Sequence, residues 1–387
     1  MSQALVSYLE PAYIWEVPAT RFRRDHPGYL VGKGDPQAGP RTPKTQCSPE
    51  VLAAVQASEA QFNHGDEIFA PSTFATTLAY VDSTAYIVAG IPSTDIHVGG
   101  IPSMTAKPLW PGEAAVAAML TFDVDGESLW ISREAENAQR VGVLSQGRYG
   151  PKVALGLILD LLDELDVKAT FFVPGWVAER YPLEIREIAA RGHELGHHGY
   201  LHEWPDPNDP AKEEAVLQRG LEILANLTGY RPVGYRSPAW EFTPSTLRFL
   251  RKFGFLYSSN LMDDIRPYWH AGEGAPLLEL PVQWVLDDAP FFMFSTRTPR
   301  PIRPAAEVEQ IWKEELDGLM EYGGLFNLTM HPQFIGRPGR LQMLRRVVAA
   351  LRQRGAWLAT GRQIAEFWAA QYPPRETGGM DRAERSV

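Results

Sequence analysis

Cysteine is nearly absent: Cys47 is the single one among 387 residues. An internal disulfide and any cysteine-built metal cage are therefore excluded. No apolar run approaches the roughly 20 residues needed to span a bilayer. The opening Met-Ser-Gln-Ala-Leu-Val-Ser-Tyr-Leu-Glu lacks a basic n-region and a sustained apolar h-region. The expectation is a cytoplasmic protein without membrane contact. Positive charge is also short, with 37 Lys and Arg against 47 Asp and Glu and a net charge of −10. That balance argues against nucleic acid as a partner. No repeat of 20–50 residues is present. A hydrophobic share of 44% and a charged share of 22% are those of an ordinary globular chain. The length suits two domains, or one barrel-sized domain with an extension.

Two textures divide the chain. Residues 1–110 hold a Pro/Gly-rich, charged stretch over 21–49, which reads as irregular chain lying on another surface. Ser48-Pro49-Glu50 reads as the capped start of a short helix over 48–63. A strand is predicted over 84–89, and the segment carries no catalytic pattern. From residue 114 short apolar runs alternate with amphipathic stretches. Strands are predicted over 114–122, 168–174, 194–198, 233–236, 255–258, 277–284 and 325–330. Helices are predicted over 151–165, 178–191, 211–227, 243–253, 305–322 and 341–354. Such alternation implies right-handed βα crossovers and a mainly parallel sheet, open or closed into a barrel. The last residues, 371–387, read as a disordered tail.

Unusual polar residues fall at the carboxyl ends of these strands, the rim on which α/β barrels build active sites. The strand over 114–122 runs into Asp123-Val124-Asp125-Gly126-Glu127. Two carboxylates at i and i+2 after an apolar strand are costly unless paired, hydrated or bound to a cation. Four of the nine histidines, His193, His197, His198 and His202, crowd into ten positions. The i,i+4 spacing of His198 and His202 would, on one helical turn, aim both imidazoles at a first-row ion; a solvated helix face is the ordinary alternative. His193 and His197 lack such a partner and read as structural or as supports behind the ligands. Arg236 leaves a strand into the turn Ser237-Pro238-Ala239-Trp240. Asp287-Asp288 interrupts an apolar, aromatic run from Trp284 to Phe292, and His331-Pro332 ends the last strand. A surface ion pair or a strand-end cap would explain any one of them. Five such coincidences at strand ends together point to a site.

The ordered set of an acid pair, His-x-x-x-His, Arg-x-Pro, an acid and His-Pro resembles the polysaccharide deacetylase or NodB-homology superfamily, carbohydrate esterase family 4. The resemblance covers roughly residues 114–368. The Asp-Val-Asp-Gly-Glu and His-Gly-Tyr-x-His-Glu forms look nearest the branch holding the Helicobacter-type peptidoglycan deacetylase, allantoinases and cyclic imidases. It implies a distorted (β/α) barrel over 111–370 behind an N-terminal extension, 1–110, that serves as a substrate lid or oligomer contact. It implies one divalent ion, zinc first and cobalt or nickel acceptable, on Asp125, His198 and His202. Asp123 would be the base, Arg236 its orienting partner and His331 the general acid. Asp287 or Asp288 would tune His331, with both left open, and the Ala239 N–H would face the oxyanion. The branch also implies a homo-oligomer, dimer or tetramer. Two departures stand out: adjacent Asp-Asp in the family is Asp-Val-Asp here, and the usual Ser or Thr after the first metal histidine is Gly199.

The implied chemistry is coherent on physical grounds. Three protein ligands leave a coordination position open for water, and an amine leaves only when protonated, which demands an acid such as His331. The expected reaction is hydrolysis of a C–N amide bond, as N-deacetylation of a small molecule or short glycan. An alternative is ring opening of a cyclic imide or allantoin-like ring, with Trp240, Trp284 and Phe291, and beside them Trp130, Trp176 and Phe292, walling a pocket for a planar ring. A catalytically inactive carbohydrate-binding module is the alternative from another class. It should have lost the base or a ligand, whereas every matched position here is filled.

Overall fold

A computed structural model describes residues 110–295 and 299–374 in full, together with four strands nearer the N-terminus. The chain divides into two compact units, residues 1–102 and 103–387. In the first unit β1 (Tyr13–Pro18), β2 (Arg41–Pro43), β3 (Thr76–Val81) and β4 (Thr84–Ala89) form an antiparallel sheet in the order β2-β1-β4-β3. The predicted strand over 84–89 is thus one of four, and this unit has a sheet of its own. The helix expected over 48–63 and the tail beyond 374 lie outside the described residues.

The second unit is a curled, mainly parallel sheet wrapped by helices, a half-barrel of the distorted NodB type. Its strands are β5 (Val116–Asp123), β6 (Thr170–Val173), β7 (Glu194–His197), β8 (Gly234–Tyr235), β9 (Tyr257–Ser258), β10 (Tyr268–Trp269), β11 (Leu278–Glu279), β12 (Gly324–Met330) and β13 (Trp357–Leu358). They run in the order β10-β11-β9-β8-β7-β6-β5-β12, with only β10 antiparallel to its neighbour. β13 pairs with the first half of β5 and β6 with its last residues. All seven predicted strands of this region exist, but several are shorter. Only Leu278–Glu279 of 277–284 pairs as a strand, because Pro281 cannot donate to a ladder and Trp284–Leu286 turns into a short 3-10 helix.

The helices follow equally local causes. The stretch 178–191 is two helices, Gly175–Arg180 and Pro182–Ala190, because a residue before proline is pushed out of the helical region; Tyr181 sits at φ −127°, ψ 54°. Pro210–Thr228 starts on the Asp209 side chain, which accepts from Lys212 N–H at 3.1 Å, and stops at Gly229 with φ 74°. The helix predicted over 151–165 begins as a π turn, Gly150–Ala154, before Leu155–Glu164.

Between sheet and helices lies one large core that includes Phe122, Phe171, Ile158, Leu162, Trp312, Phe326 and Leu344. Each such side chain contributes about 1.5–3 kcal/mol on burial. The seam between β11 and β12 is closed by polar links. Asn327 Nδ2 donates to Leu280 O at 3.3 Å and to Pro281 O at 3.0 Å, and Asp288 N–H donates to Thr329 O at 3.1 Å. No described helix is long and apolar enough to cross a membrane.

Helix Val141–Tyr149 lies against the turn that follows β5, and two of its glycines test that contact. A Cβ at Gly147 would meet Gly126 O at 2.3 Å and Glu127 Cα at 2.8 Å, all backbone, whereas one at Gly142 meets nothing within 4 Å. Gly147→Ala should lower the thermal midpoint by roughly 5 °C, from overpacking of about 1–3 kcal/mol. Gly142→Ala should leave it unchanged or raise it slightly. Equal midpoints for the two variants in a thermal melt would contradict this packing.

Candidate metal centre and active site

Because the strands of the barrel are parallel, their carboxyl ends share one rim. Asp123 ends β5 and Asp125 follows two positions on. Strand alternation turns both to the same side while Val124 enters the core on the other. The Asp-Val-Asp departure therefore still presents two neighbouring carboxylates. The Asp125 carbonyl accepts from Ser128 N–H at 3.0 Å and Ser128 Oγ at 2.6 Å, which starts helix Ser128–Arg133.

His198 follows β7 directly, and its Nε2 lies 3.4 Å from Asp125 Oδ1. His202 Nε2 lies 3.7 Å from Asp125 Oδ2. The helical turn expected between the two histidines is not there. Residues 198–204 are irregular, bent by Gly199 at φ 72° and His202 at φ 59°. The bend is fixed from inside by Glu203, whose carboxylate accepts Tyr200 N–H at 3.2 Å and Leu201 N–H at 2.5 Å. It is fixed from outside by Gly175 and Trp176 N–H groups on the carbonyls of Gly199 and Tyr200. The imidazoles converge all the same, 5.2 Å between centroids. Gly199 thus serves a left-handed turn that a Ser or Thr would adopt only with strain.

These three groups suit a cation. Their ligand atoms lie within 4.8 Å of one another and all three residues are buried. Asp125 Oδ1 is buried with no hydrogen-bond donor, a costly state for a carboxylate unless positive charge lies beside it. His198 Nδ1 donates to Arg236 O at 2.8 Å, so its Nε2 lone pair faces the cluster. Burial brings His202 down to about 4, leaving it a neutral potential ligand, with Ser132 Oγ 3.4 Å from its Nδ1. Burial pushes Asp125 up, but His202, His198 and His331 outweigh it and hold the carboxyl well below the usual range.

Asp123 has a different partner. Arg236, fully buried, donates from Nη1 to Asp123 Oδ1 at 3.0 Å and to Thr121 Oγ1 at 2.6 Å, and from Nη2 to Ser259 Oγ at 2.9 Å and Asn327 Oδ1 at 3.2 Å. The Phe172 ring lies 4.3 Å below the guanidinium. Asp123 Oδ2 remains 3.9 Å from His198 Nε2.

On the far side, His331 Nδ1 donates to Asp288 Oδ1 at 2.7 Å, and both Asp288 oxygens accept His331 N–H at 3.1 Å. Asp287 stands 3.7 Å from Nδ1 and is committed to Ala289 N–H at 2.7 Å. The pair left open by the sequence resolves in favour of Asp288 as the hydrogen-bonded partner. His331 Nε2 points back to the triad, 3.6 Å from Asp125 Oδ2. Burial opposes charge on His331, but Asp287 and Asp288 raise it well above its ordinary value. Burial and Asp288 push Asp287 up to about 7.

Ala239 and Trp240, after Arg236, hold left-handed backbone at φ 53° and 59°. For non-glycine residues this costs about 1–3 kcal/mol each and persists only where the surroundings enforce it. Trp240 is buried with its ring 4.1 Å from that of half-exposed Trp284. The other expected wall residues separate from this pair: Trp130 and Phe292 belong to the main core, and Phe291 and Trp176 pack half-buried against it. His197 and His193 each accept a backbone N–H on Nδ1. Gly199 N–H donates to His197 Nδ1 at 3.1 Å, and burial drops His197 to about 3; Ala169 N–H donates to His193 Nδ1 at 3.2 Å. Sequence reasoning missed Thr121, Ser259 and Asn327 around Arg236, Asn260, which accepts Ser237 N–H at 2.6 Å, and Gln333, whose Nε2 lies 3.5 Å from Asp125 Oδ2. Asn327 carried a signal, a polar residue in the middle of the apolar strand Gly-Leu-Phe-Asn-Leu-Thr-Met.

Fold and rim together gather Asp123, Asp125, His198, His202, Arg236, Asp288 and His331 at the carboxyl ends of one mainly parallel sheet. The family profile described as polysaccharide deacetylase matches residues 149–258. The chain is 30% identical over 263 residues to the peptidoglycan deacetylase of Helicobacter pylori, covering 60% of this chain and 89% of that protein. A solved structure from Mycobacterium smegmatis, assigned to the polysaccharide deacetylases, is 43% identical with a TM-score of 0.66 over 69% of this chain and 94% of that one. The Puue allantoinase structure is 26% identical with a TM-score of 0.63, over 72% and 97% of the two chains. The chain belongs to the polysaccharide deacetylase family.

Asp288→Asn removes the hydrogen-bonded carboxylate from His331 and leaves Asp287 alone to oppose burial. The His331 pKa should then fall by at least about one unit, since one unit corresponds to 1.36 kcal/mol and the lost ion pair exceeds that. A histidine NMR titration of the metal-free protein measures it; an unmoved His331 would contradict the pairing.

Proposed function

We propose that this chain is a zinc-dependent deacetylase that removes acyl groups from the nitrogen of a small or short N-acyl substrate. The observation that carries the reading is the buried Asp125 carboxylate, donor-poor and flanked by two imidazoles, standing between an arginine-held acid and an aspartate-held histidine.

Asp125, His198 and His202 would hold the ion, a set of two nitrogens and one oxygen that suits zinc and accepts cobalt or nickel. When bound, such an ion supplies Lewis acidity toward a carbonyl oxygen and lowers the pKa of water toward about 7. Asp123, oriented by Arg236, takes the proton as water attacks the carbonyl carbon. The Ala239 N–H faces the carbonyl oxygen as it gains charge. His331, kept protonated by Asp288 and Asp287, gives its Nε2 proton to the leaving nitrogen, so amide and water become carboxylic acid and amine. The purified protein should contain about one zinc per chain, because three ligands with an open position bind one ion. His198→Ala and His202→Ala should lose it. Asp123→Asn and His331→Ala should retain the metal while turnover falls about 10²–10⁴-fold. Full activity of a metal-free preparation would end the metal reading, and an active Asp123→Asn would move the base elsewhere.

A second reading, opening of a cyclic imide or allantoin-like ring, is favoured by the Trp240–Trp284 pair and by the likeness to an allantoinase. Planar rings bind on such aromatic faces. A substrate panel of chitooligosaccharides, peptidoglycan fragments, small N-acetyl amines and succinimide-type rings separates the readings. The expected order has small N-acyl compounds above long glycans. Robust turnover of long glycans with none of small compounds would reverse the assignment of substrate size.

A further inference from the structure

We propose that Asn260 and Glu279 are positioning residues that clamp the turn over residues 237–240 and so set the direction of the Ala239 N–H. The inference rests on the role given above to that N–H. Asn260, Glu279, Ser258 and His270 make no hydrogen bond or ion pair with Asp125, His198 or His202, so the clamp acts on the turn and not on the cluster that would hold a metal.

The turn needs holding, because Ala239 and Trp240 both keep left-handed backbone without glycine's freedom. Its first N–H, that of Ser237, donates to the side chain of Asn260 at 2.6 Å, across to the neighbouring strand. Asn260 is fully buried and has no slack. Its Nδ2 donates to Ser258 Oγ at 2.9 Å, while its backbone N–H and that of Leu261 donate to Glu279 Oε1 at 2.5 and 3.0 Å. The other Glu279 oxygen meets His270 Nε2 at 2.8 Å. The His270 ring lies nearly parallel to Phe242, at 11° and 6.2 Å, just past the far end of the turn. A single buried carboxylate thus ties both ends: Ser237 through Asn260, and Phe242 through His270. A mere strand-end cap would need only the backbone donors of residues 260 and 261. The Asn260 side chain reaching Ser237 is the added element.

An N–H displaced by a fraction of an ångström still lets substrate bind but no longer meets the developing oxyanion. Asn260→Ala and Glu279→Ala should each lower kcat about 10–100-fold with KM within about threefold of wild type. Affinity for a tetrahedral phosphonate analogue should fall by the same factor as kcat, with zinc content and affinity unchanged. Glu279→Gln keeps an oxygen for the two N–H groups and should stay within about tenfold of wild type. Wild-type kcat in both alanine variants would overturn the clamp while leaving the deacetylase reading intact. Parallel loss of kcat, metal and thermal stability, unrelieved in Glu279→Gln, would show a structural role only and also overturn it. A wild-type protein inert on every amide would remove the reading and the clamp together.

Discussion

A guanidinium has been placed inside a protein, and the rim of the barrel is arranged around satisfying it. Arg236 is fully buried and carries five N–H donors, each of which must find an acceptor because no water can serve. Nη1 spends its two on Thr121 and Asp123, Nη2 its two on Ser259 and Asn327, and Nε leans on Ser259 O at 3.4 Å. Those partners come from β5, the end of β9 and β12. One side chain thereby fixes the relative height of strands that backbone pairing alone links only through several neighbours. The same Asn327 whose oxygen accepts from Arg236 uses its nitrogen to close the seam between β11 and β12. Closing the barrel and aiming Asp123 are therefore one event.

From this follows a division of labour among acids that are chemically alike. Asp123 faces a permanent cation that cannot lose its proton, and the hydrogen bond from it fixes the carboxylate's direction. Asp125 faces the imidazoles of His198 and His202. Asp288 faces an imidazole that gains a proton because of it. Residue type alone predicts none of this; the neighbour on each strand end does. The environments push Asp125 and Asp288 apart, the first held low by its imidazole neighbours and the second raised by burial, while the acids beside His331 raise it.

Much of this was legible in the sequence, for a definite reason. Apolar strands of four to eight residues leave a strong periodic signal, and polar residues at their ends stand out against it. Asp123, Asp125, His198, Arg236, Asp288 and His331 were all visible in that way. Less legible was what depends on a partner far along the chain. Asp287 and Asp288 are indistinguishable until β12 brings His331 beside one of them. Asn260 and Glu279 look like ordinary strand-end polar residues until the sheet sets them side by side. Spacing misled at His198 and His202, where i,i+4 suggested a helix and the chain uses a glycine bend. The ring geometry is similar because either conformation brings residues four apart to the same side.

That last difference has a physical consequence. On a helix, the direction of both imidazoles would be set by backbone hydrogen bonds that any helical sequence makes. Here it is set by particular neighbours: Glu203 inside the bend, Gly175 and Trp176 outside it, and the Arg236 carbonyl on His198 Nδ1. His202 keeps left-handed backbone, as Ala239 and Trp240 do in the turn opposite. Strain of this kind persists only where packing over-determines it. Three of the described non-glycine residues with positive φ lie in these two loops, one carrying the His202 imidazole and the other the Ala239 N–H proposed to face the oxyanion. The barrel supplies the rigidity, and the loops spend it where direction matters most, at ligands and donors that must be aimed before substrate arrives.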